Sequence, residues 1–254
     1  MWQTLRNELH PKGVEIVTVS LEMSGPEFSR AYIEAAAPEH PSLLDPDHSM
    51  DALFGVTNIP NVIWINEEGV IVRPPEPGWP SERSTMPREV FAAMPAMGLA
   101  PFGPRRQTEP VDQMTLLMSG QDRGAYADSI RDWAEHGADS RFALSPDEVV
   151  ARSQPRSLSK SAGAAHFELA NRLWMSGHRD AAIAHFNECH RLQPENWTYK
   201  RQAWSLVGRE SVDGPIGGWV QAPLLGHEAE WPFASDFRSD VAMLELGEYY
   251  PATF

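Results

Sequence analysis

The sequence predicts an α/β domain followed by a helical region, on three observations. Residues 14–21 make a β-branched, nearly continuous apolar run. Residues 54–73, FGVTNIPNVIWINEEGVIVR, hold two short apolar strands about a turn at Gly69, entered through an Ile59-Pro60 step. Residues 164–194 space their small and apolar residues as two helices joined by a turn.

Taken in order, Trp2, Leu5 and Leu9 share one stripe of an opening helix, which Pro11 and Gly13 stop. Val14, Ile16, Val17, Val19 and Leu21 predict a strand buried on both faces. Pro26 suits a first helical turn, and Phe28, Ala31, Tyr32 and Ala35 then fall on one helical face. A short strand near Leu43-Leu44 leads through Asp45-Pro46 to a helix over 49–54, capped by Asp47 or Ser49. The hairpin, 62–65 and 70–72, follows. Strand, helix, strand, helix, hairpin is an α/β order.

From Pro74 the texture changes. Prolines recur every few residues to Pro110, which disfavours long regular elements and reads as a linking or wrapping segment. The expected organisation is therefore 1–73, a proline-rich 74–120 and a helical 121–254. Helices are predicted over 125–136, burying Ile130 and Trp133, and from Ser145, where SPDEV combines a cap, a proline and a returning glutamate. Within 164–194, Ala170, Leu173, Gly177, Ala182, Phe186, Cys189 and Pro194 set the helix-turn-helix, with a further helix after Glu195. The aromatic-rich tail is expected to lie against another element.

Composition narrows function. A net charge of −14 argues against a nucleic-acid surface, which needs clustered Lys and Arg. No run of about 20 apolar residues predicts a membrane span, and no signal-peptide pattern opens the chain. A single cysteine, Cys189, precludes an internal disulfide and agrees with a reducing, cytoplasmic setting. Cys189 sits at a helix-contacting position and reads as a buried structural thiol. His185 and His190 near it lack the further pair that a zinc site requires. DPDHSMDALFGV begins at calcium-loop spacing, but Met50 stands where glycine belongs and Val56 where glutamate belongs, so it is rejected. GPIGG at 214–218 follows no strand pattern and is too weak a signal for phosphate binding. No catalytic residue, cofactor or metal is assigned.

The segments GVEIVTVSLE, SLLDPDHSMDALFGV, NIPNVIWIN and EEGVIVR resemble the thioredoxin-like superfamily, on its TlpA/ResA and AhpC/TSA peroxiredoxin side. That resemblance implies a β-α-β-α-β-β-α fold in which the Ile59-Pro60 bond is cis. Asn58, Ile59, Pro60 and Asn61 would form the loop that holds an extended substrate beside the reactive atom. It implies antioxidant or cell-redox chemistry by a thiol or selenol, with a protein substrate or partner and room for a homo-oligomer. The family's first strand and redox motif have no counterpart here, so the fold is expected to be N-terminally truncated and inactive as written. Met1-Trp2 resembles the end of the WAxxUGSxW motif of ResA-like selenoproteins, making Trp2 the residue of that motif. Residues 164–194 resemble one tetratricopeptide repeat, which implies a docking surface and the alternative of a redox-dead interaction protein.

Overall fold

The computed structural model describes residues 2–80, 123–208 and 221–251. They fall into two compact units, 2–80 with 123–156, and 157–208 with 221–251. The expected proline-rich stretch beyond Pro80 and the 214–218 turn lie outside the described residues.

In the first unit, α1 (Trp2–Leu9) buries Leu5 and Leu9. The chain tightens into a 3-10 turn at Pro11, and Gly13 ends it at φ 90°, a conformation that costs glycine little. β1 (Thr18–Ser20), α2 (Pro26–Ala36) and β2 (Ser42–Leu44) make a strand-helix-strand unit, with Val19 opposite Leu43 in a parallel pair. A helical crossover is what parallel pairing demands. After α3 (Ser49–Phe54), β3 (Asn61–Ile65) and β4 (Ile71–Pro77) form an antiparallel hairpin. Its turn is closed by Asn66, whose side-chain oxygen accepts from the Val70 amide at 2.8 Å.

Three differences from the sequence-based expectation have physical causes. The run 14–21 supplies only a three-residue strand, and Val17 is exposed. Among the described residues β1 pairs with β2 and β3 with β4, in two separate two-stranded sheets, so no mixed sheet forms around a central β1. A β-branched run favours extension, but only ladder partners make it a double-buried strand. The third difference is at the hairpin, which outlasts the expected boundary at 73. Pro74 and Pro75 fall at a bulge, between the Trp64–Arg73 and Val62–Glu76 pairs, where a residue without an N–H is tolerated.

α4 (Arg123–His136) and α5 (Pro146–Arg152) belong to this first unit, although the sequence assigned them downstream. Tyr126 and Ile130 of α4 join Leu5, Leu9 and Trp64 in one buried cluster, flanked by Trp2, Val62, Val72 and Trp133. Trp64 stacks on Trp133 with ring centroids 5.1 Å apart. Burying a large side chain contributes about 1.5–3 kcal/mol, which explains why the helix follows the hairpin's indole. At α5 the Ser145–Glu148 capping box forms as its sequence predicts.

The second unit begins with α6 (Leu158–Met175) and α7 (Arg179–Leu192), joined by a tight turn at Gly177, φ 85°. Ser157 caps α6 by accepting from the Lys160 amide. Ala170, Ala182, Phe186 and Cys189 are fully buried. Phe167 meets Phe186 edge to face at 5.8 Å. The helix-turn-helix of 164–194 is thus present, and its first helix starts at Leu158, nearly two turns earlier than the spacing suggested. α8 (Trp197–Gly208) and α9 (Phe237–Ala242) follow. The tail packs Phe237, Tyr249 and Tyr250 in the interior, with Tyr249 4.8 Å from the Trp197 ring.

Candidate functional site

α3 delivers the chain into the loop that the resemblance singled out. Asp45 caps it: its carboxylate accepts from the amides of Ser49 at 3.0 Å and Met50 at 2.6 Å. The expected caps, Asp47 and Ser49, do not fill this role. The Asp45 amide in turn donates to the Ser20 carbonyl at 2.9 Å, so one residue fastens the end of β1 to the start of α3. Gly55, at φ 81°, closes the helix with its amide on the Asp51 carbonyl.

Beyond Gly55 the loop is well defined. Asn58 is buried, and its side-chain oxygen accepts from the Ile59 amide at 2.9 Å. The Ile59-Pro60 bond is cis, as the resemblance implied. Ile59 presents an apolar side chain to solvent at 52 % exposure. Asn61 opens β3 opposite Pro77, and its side-chain oxygen is buried without a hydrogen-bond partner. An acceptor in that state costs about 1–3 kcal/mol. Asn58, Ile59, Pro60 and Asn61 therefore form one continuous loop-to-strand segment. Trp2 stands apart from that chemistry and packs against the Leu5–Trp64–Tyr126 cluster.

Sequence reasoning missed a buried pair just upstream. His48 Nδ1 lies 2.8 Å from Asp51 Oδ2, with both side chains fully buried. His48 holds a left-handed conformation, φ 55°, unusual for a residue with a side chain. Burial pushes the Asp51 carboxyl above its ordinary range, and the His48 bond works against that shift. Only the i, i+3 spacing could have signalled the pair.

A second buried network joins the hairpin to α4. Arg73 grips Glu76 through two N–H···O bonds, 2.5 and 2.8 Å, and donates to the Phe142 carbonyl at 2.7 Å. The Trp64 indole N–H donates to the Tyr126 hydroxyl. Burial raises the Glu76 carboxyl, opposed by Arg73, and raises the Tyr126 hydroxyl, aided by the Glu76 charge. These groups hold the hairpin to the residues that follow it.

In the second unit Cys189 is fully buried, as expected of a structural thiol. His185 meets His166 of α6. His190 is buried against Trp204 and Phe233, with Nδ1 3.1 Å from the Ser235 hydroxyl. Burial, with the Lys200 charge adding to it, pushes His190 down to about 3.

Among the described residues, no group of three or more His, Cys, Asp or Glu is arranged to hold a metal ion. Among them, too, no helix is long and apolar enough to cross a membrane. Comparison with family models, with curated proteins and with solved structures finds no match for this chain.

Proposed function

We propose that the first unit is the substrate-receiving part of a thioredoxin-like redox protein and that it docks an extended polypeptide at residues 58–61. The observation that carries this is an exposed Ile59 immediately before a cis proline at the entry to β3. An apolar side chain of the docked segment covers Ile59. Disulfide or peroxide reduction of the family's kind needs an accessible thiolate or selenolate. Cys189, fully buried, does not provide one. The chain by itself therefore binds and does not turn over. Its net charge of −14 supports a protein partner over nucleic acid, and its one cysteine supports a reducing, cytoplasmic setting.

A second reading, a redox-dead interaction protein, draws on the buried state of Cys189 together with the α6–α7 helix pair. Two measurements separate and test them. Fluorescence anisotropy with labelled, carboxymethylated insulin B chain should show saturable binding that Ile59→Glu weakens at least fivefold. An insulin-reduction assay with dithiothreitol should show no catalysis. Binding that this variant leaves unchanged would refute the docking loop, and turnover would refute the claim that the chain is inactive alone.

A further inference from the structure

Helix α5 brings two arginines to the flank of the cis-proline loop. Its approach is pinned to β4, where the Leu144 amide donates to the Val72 carbonyl at 2.9 Å. From there α5 and β4 run side by side. Leu144 to Arg152 covers about 12 Å at the helical rise, and Val72 to Glu76 about 13 Å of strand. Arg152, the last residue of α5, therefore arrives at Glu76, and its charge acts on that carboxyl. Glu76 stands opposite Val62, one step from the Asn61–Pro77 pair where the loop enters β3. The chain then crosses to α3, where Arg156 donates to the Ala52 carbonyl, one of those a helix end leaves without an internal partner. Residues 152–156 and the loop thus join the same two places, the end of α3 and the Val62–Glu76 end of the hairpin. So short a segment spans at most about 14 Å, which holds both guanidiniums beside the loop.

We propose that the segment docked at residues 58–61 is acidic: an extended polypeptide with Asp or Glu next to the apolar residue that covers Ile59, its carboxylates paired by Arg152 and Arg156. The inference rests on the docking loop proposed above and adds what that loop selects. Both arginines are exposed, and among the described residues neither forms an ion pair. The nearby carboxylates are committed elsewhere. Glu76 is held by Arg73, Glu148 by the Ser145 capping box and Asp51 by His48. The Ala52 bond engages one terminal nitrogen of Arg156 and leaves the rest of its guanidinium to solvent. A guanidinium fork matches a carboxylate in shape as well as charge. Charges farther than about 8 Å are largely screened at physiological ionic strength, so the groups in contact set the preference there, and the chain's net charge of −14 does not.

Three labelled peptides test this on the full chain by fluorescence anisotropy. Each is a flexible glycine-serine chain holding valine-leucine-valine, followed by two glutamates, two glutamines or two lysines. In dilute buffer the glutamate peptide should bind about three- to tenfold tighter than the glutamine peptide, the scale of two exposed ion pairs, and the lysine peptide weakest. Molar salt should erase the difference. Arg152→Gln and Arg156→Gln should each reduce the preference, and together they should bind the glutamate and glutamine peptides alike. Arg152→Gln breaks no hydrogen bond among the described residues, so it decides alone should Arg156→Gln fail to fold. Peptides that bind equally, yet lose affinity with Ile59→Glu, overturn this inference and leave the docking loop standing. A glutamate preference that survives both arginine substitutions overturns it too. Binding that Ile59→Glu leaves unchanged, or no binding by any peptide, removes the loop and this inference together.

Discussion

The Trp64 indole N–H donates to the hydroxyl of Tyr126 across 3.1 Å, and the two rings meet edge to face with centroids 6.3 Å apart. One hydrogen bond thereby ties the hairpin to a helix that arrives 62 residues later. Tyr126→Phe keeps the ring and strands a buried indole donor. Stability should fall by about 1–3 kcal/mol, read as a lower urea midpoint at unchanged slope. An unchanged midpoint would mean that the bond is not holding α4 in place.

Gly78 lies beneath the same tyrosine. A Cβ at this position would stand 2.5 Å from the Tyr126 ring and 2.7 Å from Val62. Neither neighbour is a flexible chain end, so backbone or ring must shift. Gly78→Ala should cost about 1–3 kcal/mol or more, the range of overpacked cores. Combined with Tyr126→Ala the penalty should shrink, and a double-mutant cycle would read that coupling directly.

Asp45→Ala removes one acceptor from two amides at the start of α3 and leaves the backbone bond to Ser20 in place. A lost cap typically costs about 1 kcal/mol, and two orphaned donors place this variant toward about 2 kcal/mol. Faster hydrogen exchange at Ser49 and Met50, with little change in α7, is the expected pattern. Asp45→Asn should retain part of the protection.

His190 gives the second unit an acid sensitivity. Its folded pKa lies well below the ordinary value of 6.5, so the unfolded chain takes up a proton that the folded chain refuses. The associated stability is complete above pH 6.5 and is lost as pH falls from there toward about 3. Between pH 6.5 and 5 the loss approaches about 2 kcal/mol for one proton. His190→Asn removes the titrating group. The drop in urea midpoint between pH 7 and pH 5 should be smaller in this variant than in the parent, and equal drops would count against the assignment.

Buried carboxyls act in the opposite sense. Asp51, Glu76 and Asp240 all titrate above their ordinary values because burial disfavours their charge. Protonating them is easier folded than unfolded, so each adds stability as pH falls through its range. Asp51→Asn should therefore flatten that acid-side gain, measurable as a pH-dependent difference in melting temperature from the parent.

Local chemistry was readable along the chain. Ser145 and Glu148, three residues apart, announce their own capping box, and Gly177 marks the joint between α6 and α7, because these signals act within one turn. Residues 58–61 were marked by a resemblance to neighbouring segments, and their geometry follows from a short loop leading into β3. What depends on distant partners was not readable. Val14–Leu21 has the composition of an interior strand, yet only three residues find a ladder. The α4 helix shows its own apolar stripe but gives no sign that Trp64 is what it covers. His166 and His185 become neighbours only through the relative register of two packed helices, which a spacing pattern does not specify.

Within the described residues, β1 and β2 leave Val17, Leu43 and Leu44 facing water along a ladder that ends after two strands. Such an edge is adhesive, and the net charge of −14 opposes the approach of a second molecule. The repulsion reaches only about 8 Å at physiological ionic strength and about 3 Å in molar salt. Dilute buffer thus becomes a storage condition with a structural reason behind it, and salting the sample is the shortest route to turbidity.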